Sequence, residues 1–129
     1  MRSRDTFLRL HRFRAEEKRR QVSDIDAMIQ DFMRKYDELD SQVKFEESRN
    51  GVTDPAHFNY SLSAKAARGR RDNLMRSIAE LRDQLADAQS ALTDEEQELR
   101  RAEMLVEKES GMNQVPAQSL GAQPARSIT

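Results

Sequence analysis

Histidine is the side chain best suited to ligating a metal or moving a proton near neutral pH, and this 129-residue chain has two, His11 and His57. They stand far apart in sequence, so a paired-histidine metal site would require a second chain, and the absence of cysteine removes any thiolate ligand. The nearest approach to a phosphate-cradling loop is Ala67-Arg68-Gly69-Arg70-Arg71. It lacks the second Gly and the Lys-Ser/Thr pair with which a P-loop holds phosphate and its cation. These types and spacings assign no catalytic residue, no metal ligand and no cofactor.

What remains is the chemistry of binding. Phe7, Leu10 and Phe13 share one side of a helical stretch with Arg9, Arg12 and Arg14 around them, and apolar anchors ringed by arginine resemble a binding hot spot. The alternative is that the three pack on Leu99, Met104 and Leu105 of a returning helix. A second group, Phe45, His57, Phe58, Tyr60 and Leu62, gathers aromatic surface near the middle of the chain. It reads either as a docking surface or as a cap that closes the apolar seam. Arginines interleaved with aromatics also suit nucleic acid. Asp5, Glu16 and Glu17 interrupt the patch, however, and the chain carries a net charge of -1, so no nucleic-acid partner is expected.

The elements that must position these groups are legible in the apolar spacing. Leu8, His11, Ala15, Lys18, Val22, Ile25, Ile29, Phe32, Tyr36, Leu39, Val43 and Glu46 follow one another at alternating steps of three and four. That is the seam of one long helix in a coiled coil. A second seam runs Tyr60, Ala64, Ala67, Arg71, Leu74, Ile78, Leu81, Leu85, Ala88, Leu92, Glu95, Leu99, Ala102 and Val106. Polar members such as Lys18, Arg71 and Glu95 cost stability but specify register or oligomer state, and plausible pairings set His11 or Ala15 near Glu95. Between the seams, Asn50-Gly51 tolerates positive φ, and Asp54-Pro55 suits an N-cap followed by a first helical residue. So short a link makes the helices antiparallel neighbours.

The expected fold is therefore all-α: an antiparallel coiled-coil hairpin over residues 1-109, with helices at about 4-48 and 55-109 and a tip at 49-54. The polar stretch 110-129 reads as a disordered tail. The same heptads also admit a dimer of extended helices or a four-helix assembly of two hairpins, for which Met28, Met33, Met75 and Met104 offer off-seam apolar surface.

Composition agrees with a helical, solvent-rich architecture, with 35% charged and 36% apolar residues, no Trp, four Gly and three Pro. A two-helix rod has no enclosed, water-excluding site, so the reading is not an enzyme. No run is apolar enough to span a bilayer and no secretory signal opens the chain, so a cytoplasmic location without direct membrane insertion is expected. Charge is uneven. Residues 1-20 hold eight basic against three acidic side chains, whereas acid gathers from Asp94 to Glu109. Folding back would bring the two ends together.

The opening block Met1-Arg-Ser-Arg-Asp-Thr-Phe-Leu-Arg-Leu-His-Arg-Phe-Arg-Ala-Glu-Glu-Lys-Arg-Arg-Gln21, with Asp54-Pro55-Ala56-His57-Phe58 between two long helices, resembles the flagellar export protein FliJ family in its alphaproteobacterial form. The resemblance covers about residues 1-109. It implies a non-enzymatic stalk of the flagellar type III export apparatus that binds and stimulates the export ATPase. It also implies contact with the cytoplasmic domain of the membrane export gate, dealings with export chaperones, and a place at the inner membrane of the flagellar base. Carried onto this chain, the ATPase-binding residues are Phe7, Arg9, Leu10, Arg12, Phe13 and Arg14, and the gate-binding residues are Phe45, His57, Phe58 and Tyr60. The other reading is a general coiled-coil scaffold or chaperone for export substrates, with its binding energy in the seam around Ile25, Ile29, Leu81 and Leu85.

Overall fold

The computed structural model describes the backbone of residues 2-122 and side chains from Ser3 to Gly111. It consists of two long helices packed against each other antiparallel, α1 (Arg2–Asn50) and α2 (Leu62–Ala122). Contacts divide the chain into a terminal unit, Met1–Arg19 with Ser90–Thr129, and a tip unit, Arg20–Gln89.

No Gly or Pro interrupts α1. Its exposed face is reinforced by pairs one turn apart with the acid on the N-terminal side, Asp31 with Lys35 at 3.4 Å and Asp40 with Lys44 at 3.0 Å, the favourable order along a helix. The helix stops at Asn50 because Gly51 takes φ +78° while its N–H still donates to the Glu47 carbonyl at 2.8 Å. A Cβ there meets open space. The expected cost of Gly51→Ala is therefore backbone strain alone, about 1–2 kcal/mol, checked as a fall in the urea midpoint.

The connection is longer than the sequence spacing implies. Residues 51-61 lie between the helices, and Pro55 is not the first residue of α2. Asp54 does begin a turn, its Oδ1 accepting the Ala56 N–H at 2.9 Å and its carbonyl accepting the His57 N–H at 3.0 Å. The imidazole of His57 then accepts the Asn59 N–H through Nδ1 at 3.0 Å, which diverts that donor from a helical partner. The start of α2 is set later, at Ser61. Ser61 Oγ accepts the Ala64 N–H at 3.2 Å, and the Ser61 carbonyl takes the first helical bond, from Lys65. Gly69 lies inside α2, with nothing near where its Cβ would be.

Within the tip unit, Ile29, Ile78 and Leu81 are buried, with Ile25, Phe32, Tyr36 and Leu85 packed on them. Nearer the connection Val43, Tyr60, Ala64 and Ala67 are also buried. Within the terminal unit the buried residues, among those described, are small, Ala15 and Ala102. At its far end α2 continues past Glu109 to Ala122. Ala, Leu, Met and Gln in that stretch favour helix, whereas Gly111, Pro116 and Gly121 oppose it. Residues 123-129 of the expected tail lie outside the described residues.

Candidate functional site

In the terminal unit, α1 turns Phe7, Leu10 and Phe13 away from the seam held by Leu8, His11 and Ala15, leaving them 39%, 44% and 56% exposed. Arg9, Arg12 and Arg14 are exposed beside them. Packing on the returning helix does not hide these side chains, since Met104 and Leu105 are themselves more than half exposed. Phe7 borders α2, in a groove lined by Arg4, Leu105, Val106 and Glu109. Its ring stands edge-on to His11, with centroids 4.8 Å apart. The Nδ1 atom of His11 is buried without a hydrogen-bond partner among the described residues.

Ion pairs level the two helices here. Arg4 reaches Ser110 Oγ at 3.0 Å and Glu109 at 3.7 Å, and Arg19 reaches Glu96 at 3.3 Å. The basic start of the chain thus meets its acidic end. The level of Glu95–Glu96 is that of Arg19, one to two turns from the His11 or Ala15 that spacing alone placed there. Pairs this exposed contribute little energy each, and their information is register.

In the tip unit the four expected docking residues separate into two groups. Phe45, His57 and Phe58 are exposed, and the His57 ring stacks on Phe58 at 4.8 Å and 18°. Leu62 is exposed as well. Tyr60 is not part of this surface. It is buried, and its hydroxyl donates to Glu47 Oε2 at 2.6 Å, so it caps the seam. Burial, and then the Glu47 carboxylate, push its phenol above the ordinary range.

The polar seam residue Arg71 donates through Nη1 to Asp40 at 2.9 Å, and Asp40 also pairs with Lys44. Hydrogen bonds from Lys44 first and Arg71 second hold the Asp40 carboxyl below its ordinary value. A carboxyl lowered on folding contributes stability that is present above its unfolded pKa, about 4, and is lost as pH falls through the lower folded value. Asp40→Asn is therefore expected to lower the urea midpoint at neutral pH. It should also flatten the acid-side fall, leaving the share of Asp31, which is likewise lowered by Lys35 and then Arg34.

One surface is under-read by sequence spacing. Met33 and Met75 stand out as off-seam apolar residues, but only the packing shows them sharing a groove with Asp37 and Arg82. Among the described residues, no three His, Asp or Glu side chains gather where they could hold a metal ion, and no helix is long and apolar enough to cross a membrane. The chain matches no family model, no curated protein and no solved structure.

Proposed function

We propose that this chain is a non-enzymatic coiled-coil stalk of the flagellar type III export apparatus. In this reading it binds and stimulates the export ATPase through its terminal unit and links it to the cytoplasmic domain of the export gate through the tip. It binds and positions, and nucleotide chemistry belongs to the partner. It handles export chaperones and sits in the cytoplasm against the inner membrane at the flagellar base. Support comes from the resemblance of residues 1-21 and 54-58 to that family, and from an antiparallel helical hairpin of the kind the resemblance implies.

The observation that carries the reading is the exposure of Phe7, Leu10 and Phe13 amid Arg9, Arg12 and Arg14. Three large apolar side chains held out of the seam are the composition of an interface centre, not of a solvated helix face. The scaffold or chaperone reading needs the seam to open around Ile25, Ile29, Leu81 and Leu85, and those four belong to one packed cluster, so opening would forfeit the main apolar burial of the tip unit.

The test is ATP turnover by the purified flagellar export ATPase of the same organism, with and without this protein. Wild-type protein is expected to raise turnover. The Phe7→Ala/Leu10→Ala/Phe13→Ala variant, with its helicity intact by circular dichroism, is expected to lose that stimulation. Unchanged turnover with wild-type protein and an assembled ATPase would overturn the stalk reading.

A further inference from the structure

The tip unit carries a surface that neither docking region uses. Beside the seam, Met33, Tyr36 and Asp37 of α1 and Met75, Ile78 and Arg82 of α2 line an open groove. Its floor is apolar. Ile78 is buried, yet Met33 remains 38% and Met75 54% exposed. Its rim is divided by charge, with the carboxylate of Asp37 on the α1 side and the guanidinium of Arg82 on the α2 side. Among the described residues neither is in an ion pair. Arg82 Nη2 rests 3.7 Å from Met33 Sδ instead. Methionine is a side chain that adapts to apolar partners, and two unneutralised rims of opposite sign specify how such a partner must lie.

We propose that a second copy of this chain covers this groove, packed face to face about a two-fold axis that runs along the helices. Such an axis lays α1 of one copy over α2 of the other. The acidic rim of each copy then meets the basic rim of its partner, twice over by symmetry, and the four methionines meet between them. An axis across the helices lays α1 on α1 and sets Asp37 against its own copy, which like-charge repulsion disfavours. A foreign helix would have to present both signs in the matching order, whereas a second copy does so without further coincidence. The product is a four-helix assembly with both 51-61 connections at the same end.

Sedimentation equilibrium of the full chain tests this, and it uses no component of the export apparatus, so its outcome is separate from that of the stalk reading. Wild-type protein is expected to double its mass from 14.9 kDa as concentration rises. Met75→Glu changes an exposed side chain and should leave helicity intact while weakening association about tenfold or more, since it sets a charge in the covered groove. Asp37→Arg and Arg82→Asp should each weaken it, and the two together should restore it. A misfolded variant would not show that rescue. Thr53→Cys, placed in a chain otherwise free of cysteine, should crosslink between copies with a bifunctional maleimide. A monomer at every concentration, a dimer indifferent to Met75→Glu, a double charge exchange as weak as its parents, or no Thr53→Cys crosslink would each overturn the proposal.

Discussion

Ile78→Ala is expected to lower the unfolding free energy by about 2–3 kcal/mol. Ile78 belongs to a cluster in which only Ile29, Leu81 and itself are buried, so truncating it leaves a cavity at the centre of the tip unit's packing. Helices in water depend on packing of the apolar face more than on propensity. Each seam residue in this cluster therefore carries a large share of the whole. The effect should appear as a lower urea midpoint with an unchanged slope, whereas Glu80→Ala, at an exposed position on the same helix, should shift the midpoint little.

Ala67→Leu is expected to destabilise by about 1–3 kcal/mol through the opposite fault. Ala67 and Ala64 are both fully buried, which means the space facing them is closed at the size of a methyl group. Three more carbon atoms must push the helices apart or adopt an unfavourable rotamer. The neighbouring Ala66 is exposed. Ala66→Leu adds the same atoms to the same helix and should change stability by less than about 0.5 kcal/mol. Thermal unfolding of the pair isolates seam geometry from helix propensity, which the two substitutions share.

Much of this fold is legible in the order of side chains, because one physical rule decides most of it. Every member of both seams is at least half-buried, including the polar His11, Lys18, Glu46, Arg71 and Glu95, and the buried apolar residues all lie on those seams. A three-four spacing leaves a helix only one face to hide. Where competing local bonds decide, spacing misleads. Asp54-Pro55 has the form of a helix start, but the His57 imidazole takes the Asn59 N–H, and the helix waits for Ser61. Register was likewise illegible, since a heptad pattern repeats every seven residues and does not say which level of one helix faces which level of the other, whereas pairs such as Arg19 with Glu96 and Arg71 with Asp40 display it.

The residues expected to dock divide along the same line. Phe7, Leu10 and Phe13 are legible as surface because they fall off the seam. Tyr60 is on the seam, and its burial follows from that position rather than from its aromatic character. The groove around Met33 and Met75 depends on which residues of two distant segments stand side by side, and the pattern of one helix does not contain that information.

The bonds across the hairpin also imply an order of assembly. Tyr60 and Glu47 are 13 residues apart in sequence, Arg71 and Asp40 31, Arg19 and Glu96 77, and Arg4 and Ser110 106. Closing a loop costs more entropy the longer it is, and each rung next to a rung already made closes almost none. Zippering from the connection outward is thus the cheap route, with the Ile29, Ile78 and Leu81 cluster locking it early. On a ribosome the inner rungs complete while the end of α2 is still being synthesised. In the mature protein, amide exchange should be slowest around that cluster and fastest toward the chain ends, where among the described residues the buried side chains are the small Ala15 and Ala102.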